Sequence, residues 1–406
     1  MAFLSPYPYN GKIMTKETSI KLKEHAASAI INHRQSLLKL ARKLHDNPEI
    51  AMQEHQATAW LTEELKTNGF TIETGIAQMP TAFKAIYGQG APVIAFLAEY
   101  DALPGLGHAC GHNLIATAAL AAAIGVRSTT DTLGGTVMVV GTPAEELIGG
   151  KIAMLARGAF RGIDTALMLH PAAHDSATVK ALACLPLDVE FYGQEAHAAA
   201  HPELGINALE AMILSFNALD ALRQHIRSDA RIHGIITDGG RAANIVPAHS
   251  AGHFLVRATD TTYIEELKER ALNCFRGAAL ATGARLEYHW SEAEYYAPMR
   301  NDEILARLYI ANMAMLGHEI PYYHPDQSFG STDAGNVSQT IPTIHVSVAI
   351  APPGTSEHTP EFARLAREEA SFEAVMQAAT ALSMTALDLL ANQEIRDKIK
   401  HEFADN

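Results

Sequence analysis

VIAFLAEYDALPGLGHACGHNLIATAALAAAIGV, Val93 to Val126, is the stretch on which the fold turns. Its first part, VIAFLAEYDAL, reads as a buried strand running into a loop, and NLIATAALAAAIGVRS reads as a helix. Between them His108, Cys110 and His112 fall on alternate positions in a chain that has only three cysteines. A packed core gains nothing from a thiol set between two imidazoles, whereas a metal ion would use it.

The same rhythm continues outward. KETSIKLKEHAASAIINHRQSLLKLARKL and HQATAWLTEELKTNGF precede it as helices, with apolar residues three and four apart. GGTVMVVGTPAEE is a second buried strand ending in acids, KIAMLARGAF a helix, and ALMLHPA a third strand carrying a histidine. Buried strands separated by helices imply an α/β sheet covered on both faces, with polar clusters at the carboxyl ends of its strands. Over roughly 187–296 the order changes to β-α-β-β-α-β, a ferredoxin-like α+β insert. The expected division is 1–186 and 297–406 for the α/β catalytic domain, with 187–296 inserted.

Bulk composition narrows the function. The net charge is -14, from 31 basic and 45 acidic residues, and no basic patch carries interleaved aromatics, so a nucleic-acid partner is not expected. Cys110, Cys184 and Cys274 do not make a disulfide framework, which points to a reducing cytoplasm. No signal peptide is evident, and no run is expected to span a membrane; LIATAALAAAIGV is short and suits a buried helix.

Four clusters follow predicted strands: AEYDALPGLGHACGHN with Asp101, Cys110 and His112; GTPAEE with Glu145 and Glu146; LMLHP with His170; and GTSEHTP with His358. Singly, each has a plain reading as a structural histidine, a solvated acid pair or a small buried thiol. Their repetition after buried strands makes a metal site the leading hypothesis. Imidazole, carboxylate and thiolate suit Zn, Mn, Co or Ni, and a thiolate or carboxylate can bridge two ions. Of two adjacent glutamates, one can ligate while the other acts as general base.

With these motifs and GSTDAGNVS, the chain resembles the aminoacylase and carboxypeptidase family of metallopeptidases, family twenty, and within it the amidohydrolase branch. Its pattern is similar to p-aminobenzoyl-glutamate hydrolase subunits and the β-alanyl-lysine dipeptidase. The resemblance implies a zinc-peptidase-like mixed-sheet domain with an inserted lid and dimerisation domain, a homodimer, and two divalent ions, Zn or Mn first and Co or Ni as alternatives. It implies Cys110 as bridging ligand, His112 and His170 completing one ion site, and Glu146 and His358 the other. Glu145 matches the general base and Asp101 the aspartate that steadies a ligand. Glu99 stands where many relatives carry a ligating histidine. In the insert, His197 resembles the histidine that polarises the scissile carbonyl, and Asn244 and Arg257 resemble groups that hold the substrate carboxylate.

The expected activity is hydrolysis of the amide bond of an N-acyl or N-aroyl amino acid, with a β-alanyl-lysine-like dipeptide as alternative substrate. Two rival chemistries stay open at this point. One is a cysteine hydrolase with Cys110 beside His108 or His112; the other is a non-catalytic binding or regulatory role.

Overall fold

A computed structural model describes residues 7–9, 12–14, 16–324 and 330–405. In chain order the elements are β1 (Tyr7–Tyr9), β2 (Lys12–Met14), α1 (Lys16–Asp46), α2 (His55–Thr67), β3 (Thr71–Thr74), β4 (Phe83–Gln89), β5 (Val93–Ala98), α3 (His112–Leu133), β6 (Gly135–Gly141), α4 (Glu145–Ile148), α5 (Gly150–Ala156), β7 (Thr165–Ala172) and β8 (Ala183–Tyr192). They continue with α6 (Ala208–Arg223), β9 (Arg231–Asp238), β10 (His249–Ala258), α7 (Thr261–Thr282), β11 (Arg285–Trp290), α8 (Glu303–Met315), α9 (Ala334–Ser338), β12 (Thr343–Ala349), α10 (Pro360–Leu365), α11 (Glu369–Ala391) and α12 (Gln393–Asp405).

The chain divides into two compact units. The first comprises residues 1–179, 300–328 and 336–406 and is built on a six-stranded sheet in the order β12-β7-β5-β6-β4-β3. β12, β7, β5 and β6 are parallel neighbours, while β4 and β3 are antiparallel. This is a mixed-sheet α/β fold. β6 is buried along its whole length and β5 at all but Val93, as parallel strands covered on both faces should be. The hairpin β3–β4 was not expected from the sequence. β3 is mostly exposed and β4 frays to exposed Gly88 and Gln89, so neither carries a continuous apolar run.

Ala-rich α3 sits against the sheet and packs on α1 and α11. Its small side chains admit close approach: a Cβ on Gly125 would lie 2.6 Å from Ser383 Oγ and 2.8 Å from Ile30 Cδ1. By length and composition α11 alone among the described helices could cross a membrane, which corrects the expectation that no run is long enough. It is a core helix, 83% buried over its most apolar window.

The second unit comprises, among the described residues, 180–299 and 330–335. Its sheet order, β11-β8-β10-β9, is wholly antiparallel, with α6 and α7 packed on one face. That is the ferredoxin-like arrangement. It has its own core of Leu187, Phe191, Met212, Phe254, Ile264 and Phe275 among others. The division expected at Leu187 would fall inside β8, which pairs continuously with β10 from Ala183 to Tyr192. Residues 330–335, expected in the catalytic domain, cluster here; Leu182 N donates to Gly330 O at 2.7 Å.

Candidate metal centre

The carboxyl ends of β5, β6 and β7 deliver the polar clusters of the first unit. β5 ends at Ala98, and Glu99 and Asp101 follow it, both about 1% exposed. The chain then reaches Gly111, at φ 78°, before α3 starts at His112. A Cβ on Gly111 would lie 2.8 Å from Pro171 Cγ, so this turn requires glycine on both steric and conformational grounds. β6 leads to Ala144, at φ 63°, and then to α4, which opens with Glu145 and Glu146. The acid pair therefore lies in a single helical turn that follows β6, rather than at the end of the strand itself. His170 lies on β7, and His358 itself has φ 60°, an uncommon conformation for a residue with a side chain.

These residues converge. Cys110, His112 and His170 offer ligand atoms that all lie within 4.8 Å of one another, and so do Cys110, Glu146 and His358. The two triads share one sulfur. His112, Glu145 and Glu146 form a third such group. Cys110 Sγ is 3.4 Å from His170 Nε2, and His358 Nε2 is 3.4 Å from Glu146 Oε2.

The far sides of the rings are tied down. His112 Nδ1 lies 3.1 Å from Asp101 Oδ1, and Asp101 Oδ2 accepts from the Glu146 backbone N–H at 3.0 Å. His170 Nδ1 lies 2.7 Å from Pro171 O. With the Nδ1 atoms engaged, each Nε2 faces the shared sulfur or the carboxylates. Asp101 thus fixes two of the converging groups at once, the way outer partners orient metal ligands.

The electrostatics are those of a buried polar cluster. Burial pushes Asp101 upward, but the charge and hydrogen bond of His112 outweigh it and the carboxyl titrates below its usual range. Burial lowers His112, yet Asp101, followed by Cys110, more than compensates and the imidazole is held well above its ordinary value. Burial pushes the Cys110 thiol well above its usual value, against the pull of His112. His112 Nε2 and Glu146 Oε1 are buried with no hydrogen-bond partner among the described residues. Two buried polar atoms without a partner, beside a thiol, two further imidazoles and a second carboxylate, fit a divalent cation with borderline-soft preference, which would take the His112 ring in its neutral form. A bound cation would also draw the thiol to thiolate.

Three participants had no assigned role from sequence. Glu99 Oε1 accepts from the fully buried Lys151 Nζ, while Oε2 lies 3.5 Å from His112 Nε2 and lacks a hydrogen-bond partner among the described residues. Burial pushes Glu99 up, but Lys151, then His112 and His170, bring it below its usual value. His345 on β12 stacks on His170 with ring centroids 5.6 Å apart; burial, then His170, pushes it down to about 3. Lys151 opens KIAMLA and reads like any solvated lysine, and His345 sits inside the apolar run TIHVSVA. Neither carries a motif. His108, a near neighbour in sequence, is buried, with its ring centroid 6.2 Å from that of His45, and belongs to none of the ligand groups.

The other expected site residues lie in the second unit. His197 pairs in an isolated bridge with Ile245, and Ala198 N donates to Asn244 O at 3.0 Å, so His197 and Asn244 share one local ribbon. His197 Nδ1 accepts from the backbone N–H groups of Ala199 (3.3 Å) and Ala200 (3.1 Å), which leaves Nε2 as a hydrogen-bond donor. Arg257, on β10, donates through Nη1 to Ser331 Oγ at 2.7 Å.

The chain matches the model of peptidase family M20/M25/M40 over residues 95–384. It is similar to the Xaa-Arg dipeptidase of Mus musculus, with 37% identity covering 94% of this chain and 92% of that protein. It is also similar to a p-aminobenzoyl-glutamate hydrolase subunit of Escherichia coli (strain K12), 31% identical over 92% of this chain and 93% of the relative. Among solved structures, a dinuclear metal binding peptidase of Bacillus subtilis from the M20 family has the same fold, with TM-score 0.71 at 20% identity over 88% of this chain and 98% of that one. The chain belongs to peptidase family M20/M25/M40 and is a hydrolase of amide or peptide bonds.

Proposed function

We propose that this protein is a two-metal hydrolase of small amides whose leaving part is an amino acid with a free carboxylate. A dipeptide ending in a basic residue is the first substrate class, because the Xaa-Arg dipeptidase relative is 37% identical over 94% of the chain. An N-acyl or N-aroyl amino acid is the second, supported by the 31% identity to the p-aminobenzoyl-glutamate hydrolase subunit. This order reverses the one suggested by the sequence.

The observation that carries the reading is the pair of ligand triads joined at Cys110. Cys110, His112 and His170 would hold one cation, and Cys110, Glu146 and His358 the other. Zn and Mn head the candidates on donor chemistry, with Co and Ni behind. Bound in such a site, divalent cations polarise a carbonyl and make water more acidic.

The chain's own groups divide the remaining work. Glu145 takes the proton of the attacking water and delivers it to the leaving nitrogen. Asp101 holds the His112 ring in one orientation. His197 donates from Nε2 to the developing oxyanion, an interaction of the type worth about 3 kcal/mol. Asn244 and Arg257 hold the substrate carboxylate, for which a planar guanidinium is well shaped.

A cytoplasmic location is part of this reading, supported by a cysteine count too low for a disulfide framework. It acts as a homodimer paired through the second unit, whose edge strand β9 exposes Ile235 and Ile236. Sedimentation at micromolar concentration should give a dimer, and a monomer would count against it.

The deciding experiment replaces Glu145. E145Q should keep two bound ions per chain by elemental analysis while turnover of Ala-Arg and of p-aminobenzoyl-glutamate falls by at least about a hundredfold. Unimpaired turnover in that variant, or full activity of the wild type after chelation, would overturn the assignment.

A further inference from the structure

The arginines of the second unit fall into two groups. Arg223, Arg227, Arg270, Arg276 and Arg285 each pair with a carboxylate. Arg231, bonded to backbone carbonyls, and Arg241 pair with none among the described residues, and neither does Arg257. Its partners are neutral: Nη1 donates to Ser331 Oγ at 2.7 Å and Nε donates to His233 Nε2 at 3.3 Å. Nη2 makes no hydrogen bond among the described residues. The side chain is therefore fixed on two of its three nitrogens, its charge is not cancelled, and one corner of the fork is bare.

The fold explains why these three meet. In the β10–β9 ladder Leu255 lies opposite His233 and Arg257 opposite Arg231, so His233 is the diagonal neighbour of Arg257 on the same sheet face. That face is opposite the one carrying buried Phe254 and Val256. Ser331 comes from residues 330–335, which close tightly on this unit. Gly330 O accepts from Leu182 N, and a Cβ on Gly335 would lie 2.1 Å from Ala297 O.

To accept from Arg257, His233 must be a neutral imidazole. Burial, followed by the charges of Arg257 and Arg223, holds it below its ordinary value. A neutral ring and a hydroxyl orient a cation without neutralising it, whereas a carboxylate in either place would compete with an anionic ligand.

We propose that His233 and Ser331 are positioning residues that preset the Arg257 guanidinium to receive the α-carboxylate of the leaving amino acid. This rests on the reading of Arg257 as the carboxylate's partner. An unrestrained arginine loses rotamer freedom when it captures an anion; here that ordering is completed in the folded chain, and affinity gains by the difference.

The test uses the full-length, metal-loaded protein and two probes, Ala-Arg and p-aminobenzoyl-glutamate, each as the free acid and as the α-carboxamide. In H233A, KM for the free acids should rise about tenfold, the loss of one hydrogen bond to a charged group, with kcat within about twofold. KM for the carboxamides should not move. H233N, which keeps a neutral acceptor, should recover most of the loss, and S331A should repeat the pattern of H233A. Circular dichroism of each variant separates misfolding from mispositioning. An unchanged KM for the acids in both H233A and S331A, or an equal rise for acids and carboxamides, overturns the proposal. R257A distinguishes the levels. If it abolishes the preference for acid over carboxamide while H233A and S331A do not affect it, only the positioning role fails. If R257A leaves the preference intact, the carboxylate reading and the positioning role fall together.

Discussion

Asp101 shows how much one side chain settles at the metal centre. One oxygen engages His112 Nδ1 and the other the Glu146 backbone N–H, so a single carboxylate fixes a ligand of each triad. D101N should reduce metal affinity about 10–100-fold with the fold intact, measured by calorimetric titration of the stripped protein. Glu54 acts one step further back. Its Oε1 accepts from the N–H of Ala144, the residue before Glu145, at 3.0 Å. Burial, aided by the charge of Asp101, pushes its carboxyl from 4.5 up to about 7. The folded state therefore binds this proton more tightly than the unfolded chain. The contribution is fully present below about 4.5 and is lost as pH rises through about 7. E54Q keeps an acceptor for Ala144 and never ionises, so the decline of its melting temperature between those two pH values should be shallower than the wild type's. An identical slope would exclude Glu54 as its source. At this scale the sequence was readable where chemistry is unusual. A thiol between two histidines and an acid pair after a buried strand seldom serve packing alone. Lys151 and His345 were not readable, because a charged residue in a helix and a histidine in a strand look the same whether they are buried or solvated.

The elements bring these residues together through strained connections. Gly111 precedes α3 and Ala144 precedes α4, both with positive φ. G111A should lose about 1–2 kcal/mol from the left-handed backbone alone, and more from the clash with Pro171, lowering the melting temperature and metal content together. A144G should do the reverse for stability, since glycine adopts the same φ without penalty. A lower melting temperature in A144G would show that the alanine methyl packs for more than its backbone costs. The helices and buried strands were legible because their periodicity is long: α1, α2 and α3 begin within a residue of the stretches whose apolar spacing marks them. Hairpin β3–β4 was missed because exposed antiparallel strands carry little apolar signal. The boundary at Leu187 was misplaced because burial is continuous through Ala183–Leu187, so no break in composition marks where one unit gives way to the other.

Among the described residues each unit has its own apolar core, and the residues of the ligand triads belong to the first unit. Removing the ions should therefore affect the units unequally. A cation that binds only the folded state at a hundred times its dissociation constant adds about 2.7 kcal/mol. Chelation should lower hydrogen-exchange protection in β5, β7 and β12 while β8 and β10 keep theirs. Equal loss in both sheets would mean that the units unfold as one. The nested connectivity also has a consequence for how the protein is made. The core strands and helices of the second unit are complete once Trp290 has left the ribosome. The first unit must wait for β12, which pairs with β7 across more than a hundred intervening residues, and for α11, which covers α3. During synthesis the inserted domain is thus free to assemble its own core, lacking only residues 330–335, while the apolar faces that will form the larger core are still open. Those faces are what a chaperone would meet on the nascent chain.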